Sequence, residues 1–292
     1  MPVKTPKIVK TASVKAPVGK TAPRKLVIKK KPELNVVCIW WRREDGSEKF
    51  SIEYINRLYR MVQKNLTLPH RFVCFTEDTV GNDGVRLLPE IEHFPLPPVK
   101  LRKGLPERCW KKLGFLSGKL ADLKGTALFL DLDIVIIDNI DDLFKQPGEF
   151  IIARDKAHDD LVGNSSVFRF EIGKHQDILD NFEENFEKIR CEVRHEQAYM
   201  SREMRKKGTF EFWNGADCPM CKSWVRSFKY CCLLRFPFNW FITPELPKGA
   251  KIVVFHGNPI NEEAMNGYTA KFGIRHVRPT KWIRKYWIGD NK

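Results

Sequence analysis

Thr126 to Phe144 reads TALFLDLDIVIIDNIDDLF, a run apolar enough for a strand buried on both faces and broken by Asp131 and Asp133. A strand turns successive side chains to opposite faces, so residues two apart point the same way and both carboxylates aim at one spot. Ionised groups buried together are costly unless a cation compensates them, and carboxylate oxygens are hard ligands that suit Mg²⁺ or Mn²⁺. Asp131-Leu132-Asp133 therefore reads as a metal site at a strand end. The tripeptide is common, and a capped strand terminus with solvated acids is the bland alternative. Asp138, Asn139, Asp141 and Asp142 read differently: they open the next helix, where acids and capping side chains suit the dipole.

The chain has 292 residues and a net charge of +15, unevenly placed. Ten of its 51 lysines and arginines and none of its 36 acids lie in residues 1–31, which leaves the rest with 41 bases against 36 acids, net +5. Repeated Lys, Ala, Pro and Thr with like-charge repulsion predict a disordered basic arm over residues 1–32. Such an arm suits nucleic acid, an anionic membrane surface or an acidic partner, and equally a solubilising extension. It lacks the apolar core of a secretory signal, and no stretch approaches a membrane span. The expected compartment is the cytoplasm, with peripheral contact to a membrane left open. The eight cysteines then read as reduced thiols. Cys38 and Cys74 fall in strand-like runs. Cys218, Cys221, Cys231 and Cys232 offer a zinc set of atypical spacing, against which plain thiols weigh more.

Working outward, Leu34 to Trp41 suits a central parallel strand. Ser51 opens a helix with Ile52, Ile55, Leu58, Tyr59 and Val62 on one face, and Arg71 to Phe75 is a second strand closed by Thr76-Glu77-Asp78. This is a β-α-β unit, which builds nucleotide sites at its strand ends. Gly81 to Leu88 reads as a turn and a third strand, and Phe94 to Pro106 as a Pro- and Lys-rich loop. A helix with Trp110, Leu113, Leu116 and Leu120 inside carries Lys111 and Lys112, either of which could meet a phosphate. Glu149 to Arg154 is a strand, Gly163-Asn164-Ser165-Ser166 leads into another, and Ile178 to Ile189 keeps helical spacing. Glu196 and Gln197 start a further helix. Lys251 to Phe255 is a last strand ending in His256-Gly257, where an imidazole could add a third metal ligand and Gly257 permits close approach to a phosphate. The basic and aromatic Lys281 to Trp287 reads as a packed terminus with snorkelling cations.

In this order, Lys112-Leu113, Asp131-x-Asp133, Ile140-Asp141-Asp142-Leu143-Phe144, Asn164-Ser165-Ser166-Val167, Glu196-Gln197 and Phe255-His256-Gly257 resemble nucleotide-sugar glycosyltransferases of the GT-A fold. The likeness is to glycogenin, the family 8 enzymes and related bacterial transferases, which have segments similar to Tyr54 to Tyr59 and Ser227-Phe228-Lys229, and it spans Asn35 to Trp287. It implies an α/β fold with a mixed, mostly parallel central sheet flanked by helices, in a single domain over residues 33–292. By the same resemblance Asp131, Asp133 and His256 hold Mn²⁺, or Mg²⁺, against the diphosphate, and Lys112 contacts donor sugar or phosphate. Asn164 and Ser165 lie near the donor sugar, and Glu196 and Gln197 beside the reaction centre. Thr76, Glu77 and Asp78 sit where base or ribose would lie. Two departures stand out: Glu196 replaces an aspartate, and Asn258-Pro259 follows where the family has a lysine that grips the diphosphate.

The expected activity is transfer of a sugar from a nucleoside diphosphate sugar, UDP by family habit, to an acceptor hydroxyl of a glycan, lipid or protein, with retention of configuration. One rival is a haloacid dehalogenase-type phosphatase, which Asp131-x-Asp133 after a strand would fit; that motif normally opens its domain, and here strands precede it. The other is a weakened transferase core that binds, tethered by its arm. Oligomeric state has no signature in the sequence.

Overall fold

The computed structural model describes residues 33–101, 109–155 and 161–289; the arm of residues 1–32 and residues 102–108 of the Pro- and Lys-rich loop lie outside the described residues. Strand β1 (Leu34–Ile39) runs parallel to β2 (Arg71–Phe75). Between them helix α1 (Ile52–Asn65) buries Ile52, Ile55, Leu58 and Val62, with Glu53 in its first turn and Lys64 in its last, as the helix dipole favours. A short edge strand β3 (Glu92–Phe94) follows. It is not the strand expected at Gly81 to Leu88, which forms only a single bridge from Val80 to Arg86. The Asn56 side chain of α1 satisfies that stretch instead: its Nδ2 donates to Arg86 O at 2.9 Å and its Oδ1 accepts from Leu88 N at 3.0 Å.

The acidic stretch forms β4 (Thr126–Leu130) and β5 (Ile134–Ile136), then α2 (Asp141–Lys145). After them come β6 (Phe150–Arg154), β7 (Gly163–Glu171), α3 (Gln176–Glu184), α4 (Phe186–Glu192), α5 (Glu196–Lys206) and β8 (Phe210–Phe212). Seven strands make one sheet in the order β3-β2-β1-β4-β7-β6-β8. Its pairings are parallel except at β7, which opposes both β4 and β6. This is the mixed, mostly parallel α/β sheet that the resemblance implies. A second sheet takes β5 with β9 (Val225–Ser227) and β10 (Ile252–Val254). The last apolar strand is therefore no parallel neighbour of the acidic one: β10 runs antiparallel to β5.

Alternation along the strands fills both faces of the large sheet. Val36, Cys38, Leu128 and Leu130 pack with α1 and the small sheet, while Val37, Ile39, Ala127 and Phe129 pack with α3 and α5. The helical run Ile178 to Ile189 is two helices, broken at Asn185, which ends α3 and begins α4. The helix expected from Trp110 to Leu120 is a short 3₁₀ helix, Cys109–Leu116, in which Gly114 lies so close to Pro97 that a Cβ would come within 2.7 Å of it. Trp287 is buried with the Arg57 guanidinium 4.2 Å over its ring, as a packed terminus requires.

The cysteine reading needs correction. Cys221 and Cys231 form a disulfide, which removes two sulfurs from the zinc set and contradicts a wholly reduced chain. Cys38 and Cys74 are buried, as expected. Among the described residues, no helix is long and apolar enough to cross a membrane.

Phe168, fully buried and stacked 4.8 Å from Phe129, tests the packing of the helix-covered face. Phe168→Ala should cost about 3–5 kcal/mol in urea unfolding; a loss below about 1 kcal/mol would mean this face is loosely packed. Thiol titration of the denatured, unreduced chain should count no more than six of the eight cysteines.

Candidate functional site

Strand β4 stops at Leu130, and the next residues carry the chain out of the large sheet into the small one. Backbone bonds pin this crossing on both sides: Asp131 N donates to Ser166 O at 2.8 Å, and Phe255 N donates to Asp133 O at 2.9 Å. The two carboxylates line one cavity but have different surroundings. The buried Lys112 ammonium lies 2.8 Å from each oxygen of Asp131. Asp133 is buried too, and the ammonium nearest it, that of the exposed Lys49, stays 3.8 Å away. Burial, with the Asp131 charge next, pushes the Asp133 carboxyl up to about 7. Asp133 is thus a carboxylate short of positive charge.

From Lys112 a polar chain continues inward. Its Nζ lies 3.4 Å from both Ser165 O and Ser165 Oγ. Ser165 Oγ donates to Glu196 Oε1 at 2.7 Å, and Ser165 N to Gln197 Oε1 at 3.4 Å. Gln197 Nε2 donates to Asp155 Oδ2 at 2.7 Å. Glu196 sits in the first turn of α5, where the dipole favours an acid. Asn164 shapes the start of β7, its Oδ1 accepting from Ser166 N at 3.0 Å. One network therefore joins Lys112, Asp131, Ser165, Glu196 and Gln197, with Asp133 beside it.

His256, among the described residues, makes no hydrogen bond or ion pair with either aspartate. Its Nε2 is 3.4 Å from Ser227 Oγ, its Nδ1 is buried without a hydrogen-bond partner, and its ring lies 5.6 Å from that of Tyr230. Burial lowers its pKa; the Asp155 carboxylate opposes this, while Lys229 and Arg275 add to it, so the imidazole is neutral at pH 7. Among the described residues no three His, Cys, Asp or Glu side chains gather to hold a metal. The aspartate pair suits a divalent cation by charge and hardness, since an ammonium already stands against Asp131 and Asp133 lacks a close one.

The cavity of about 260 Å³ is walled by Trp40, Trp41, Arg43, Lys49 and Phe50 beside Lys112 and the aspartates. These follow β1; the residues after β2 lie elsewhere. Thr76 Oγ1 accepts from Asp78 N at 3.1 Å, and Asp78 Oδ1 accepts from Arg42 Nη1 at 3.0 Å, which ties the two loops together, with Glu77 exposed between. Gly257 has φ +72° with open space around it. Trp41, Lys49 and Asp155 escaped the sequence reading. Asp155 had a signal, an acid directly after β6, at the same sheet edge as Asp131.

No family model matches the chain, and no curated protein does. Solved structures resemble it at low identity. The galactosyltransferase LgtC, in complex with donor and acceptor sugar analogs, aligns with TM-score 0.48 and 10% identity over 78% of this chain and 88% of its own. An active-site mutant of LgtC gives 0.47 and 10% over 78% and 89%. The glycosyltransferase GlyE of Streptococcus pneumoniae TIGR4 gives 0.46 and 14% over 79% of this chain and 56% of its own. At this depth of similarity neither activity nor substrate passes from them to this chain.

The raised pKa of Asp133 has a sign that stability measurements can read. The unfolded carboxyl ionises near its ordinary value of 3.8 and the folded one only near 7, so between these pH values the folded state holds more protons and this group's share of stability is lost as pH rises. In chelator, Asp133 should contribute a downward slope to the stability of the native chain from about pH 4 to about pH 7, opposed by His175 and His256, whose pKa values burial lowers. Asp133→Asn should flatten that slope and be more stable at neutral pH, by a few kcal/mol at most. Parallel pH profiles for the two proteins would show that Asp133 titrates normally.

Proposed function

We propose that this chain is a metal-dependent glycosyltransferase that moves a sugar from a nucleoside diphosphate sugar, UDP-linked, to an acceptor hydroxyl with retention at the anomeric carbon. The observation that carries the reading is the pair of a half-buried Asp131 and a buried Asp133, the first held at both oxygens by Lys112 and the second short of positive charge, beside a cavity with tryptophan walls. Asp131 and Asp133 would hold Mn²⁺ or Mg²⁺, and His256, with a neutral imidazole and an unpartnered nitrogen, is the third candidate ligand on chemistry, not on distance. When bound, the cation supplies a Lewis acid for charge that grows on the diphosphate.

The bond from the anomeric carbon to the diphosphate oxygen breaks with its electron pair leaving on oxygen; the acceptor oxygen forms the new bond to that carbon and its proton passes to the departing diphosphate oxygen. Lys112 supplies fixed positive charge toward the diphosphate, in a buried site where it acts strongly. Glu196, anchored by Ser165 at 2.7 Å, orients the acceptor hydroxyl or steadies positive charge on the sugar ring. Gln197 fixes Ser165 and Asp155 in relation to each other. Asn164 and Ser165 serve the donor sugar, Thr76, Glu77 and Asp78 the nucleoside, and Gly257 the close approach of backbone to phosphate. Where the family has a lysine after His-Gly, Lys229 beside His256 and Lys49 beside Asp133 are the cations at hand.

Release of nucleoside diphosphate from a panel of sugar nucleotides tests the reading. At least one donor should turn over with Mn²⁺, chelator should stop it, and Asp133→Ala should lower the rate about a hundredfold or more. Glu196→Gln should reduce turnover about tenfold or more and leave donor binding intact. Turnover indifferent to both chelator and Asp133→Ala, or no donor binding at all, would overturn it.

A further inference from the structure

Two segments beyond the candidate site, residues 228–243 and 268–278, form a surface in which large apolar side chains stand in water. Phe236, Phe238 and Phe241 project from the first, Phe272 and Ile274 from the second, with Phe241 74% and Phe272 81% exposed. The backbones beneath them are tied together. Trp240 stacks on His276 at 4.0 Å and donates from Nε1 to Gly273 O at 2.9 Å; Asn239 Nδ2 donates to Ile274 O at 3.0 Å; Arg278 Nη1 donates to Phe241 O at 3.0 Å. An open groove of about 1000 Å³ runs between the segments. Scattered exposed hydrophobes are ordinary, but a cluster held on a fixed frame marks an interaction surface.

Charge selects the occupant. The two segments carry Lys229, Arg235, Lys271, Arg275 and Arg278 and not one acidic residue. Rings and aliphatic chains that project from an acid-free cationic face suit an anionic lipid interface, where apolar groups enter the boundary of headgroups and acyl chains and cations meet lipid phosphates. A second copy of the chain would bring the same cations and be repelled.

We propose that this face docks the protein on an anionic membrane surface. The groove's inner wall includes Lys229, Tyr230 and Arg275, and the Tyr230 ring lies 5.6 Å from that of His256. Docking itself does not rest on the transferase reading; joined to it, docking sets the acceptor hydroxyl at headgroup level.

The test is co-sedimentation of the full chain with vesicles of phosphatidylcholine alone and of an equimolar mixture with phosphatidylglycerol. The native chain should partition onto the mixed vesicles and retain part of that binding in high salt, as apolar insertion requires. Phe238→Ser/Phe241→Ser/Phe272→Ser should weaken partition at least about tenfold with an unchanged circular dichroism spectrum, the basic arm being common to both proteins. Arg235→Glu/Lys271→Glu, a second variant on the same face, should also weaken it. Equal binding by native and substituted chains, or none by the native chain, would overturn the proposal. So would self-association of the native chain that the same substitutions abolish, which would make this face a contact between copies.

Discussion

The constraint on which this structure turns is the placement of two aspartates, Asp133 buried and Asp131 half-buried, where the chain crosses from β4 of the large sheet to β5 of the small one. Burial, with the Asp131 charge next, disfavours the ionised form of Asp133, and among the described residues the one buried ammonium beside the pair, that of Lys112, stands against Asp131. Lys112 reaches Asp131 because the short 3₁₀ helix turns Trp110, Leu113 and Leu116 into the core and leaves the lysine facing the strand ends. The Phe129 ring, 5.1 Å from its ammonium, adds a favourable face. Asp133 is left without a close partner, the exposed Lys49 ammonium standing 3.8 Å away.

The rest of the polar network follows from how the strands are filled. Alternating apolar residues occupy both faces of the large sheet, so most groups that must hydrogen-bond lie at the strand ends, while the buried Arg169 of β7 donates to Leu143 O and Gly148 O. Because β7 runs opposite to β4 and β6, its beginning lies beside their ends, which brings Ser165 to Asp131 and Asp155 close to Gln197. The members come from several elements, Glu196 and Gln197 both from α5, and hydrogen bonds of 2.7 Å at Glu196 and Asp155 make them one unit. Rigidity of this kind is what a site needs when catalysis rests on positioning and charge.

Charge and apolarity are distributed for two separate purposes. At the strand ends, acids and one lysine are sunk in a cavity of about 260 Å³. Along residues 228–243 and 268–278, cations and aromatic rings are turned outward over a tied backbone. His256 and Tyr230 lie between the two, where the end of β10 meets the groove.

Much was legible in the sequence because it depended on local pattern. Continuous apolar runs marked β1, β2, β4 and β6, a helical repeat marked α1, and Glu196 and Gln197 open a helix as read, while Asp131 and Asp133 lie in the crossing from β4 to β5. Local pattern failed where a distant group changed the outcome. Asn56 took the backbone partners that would have made Val85 to Leu88 a strand, and Pro97 pressed against Gly114 in the helix expected there. Pairing of Cys221 with Cys231 depended on a turn that no spacing reveals. The sequence by itself determined which residues are apolar, where the charges lie and which elements they ride on. Only the tertiary structure decided that β10 joins β5 and not β4, that His256 stands with Ser227 and Tyr230, and that Asp155 enters the network, because strand partners are chosen by packing and hydrogen bonding between segments far apart in the chain.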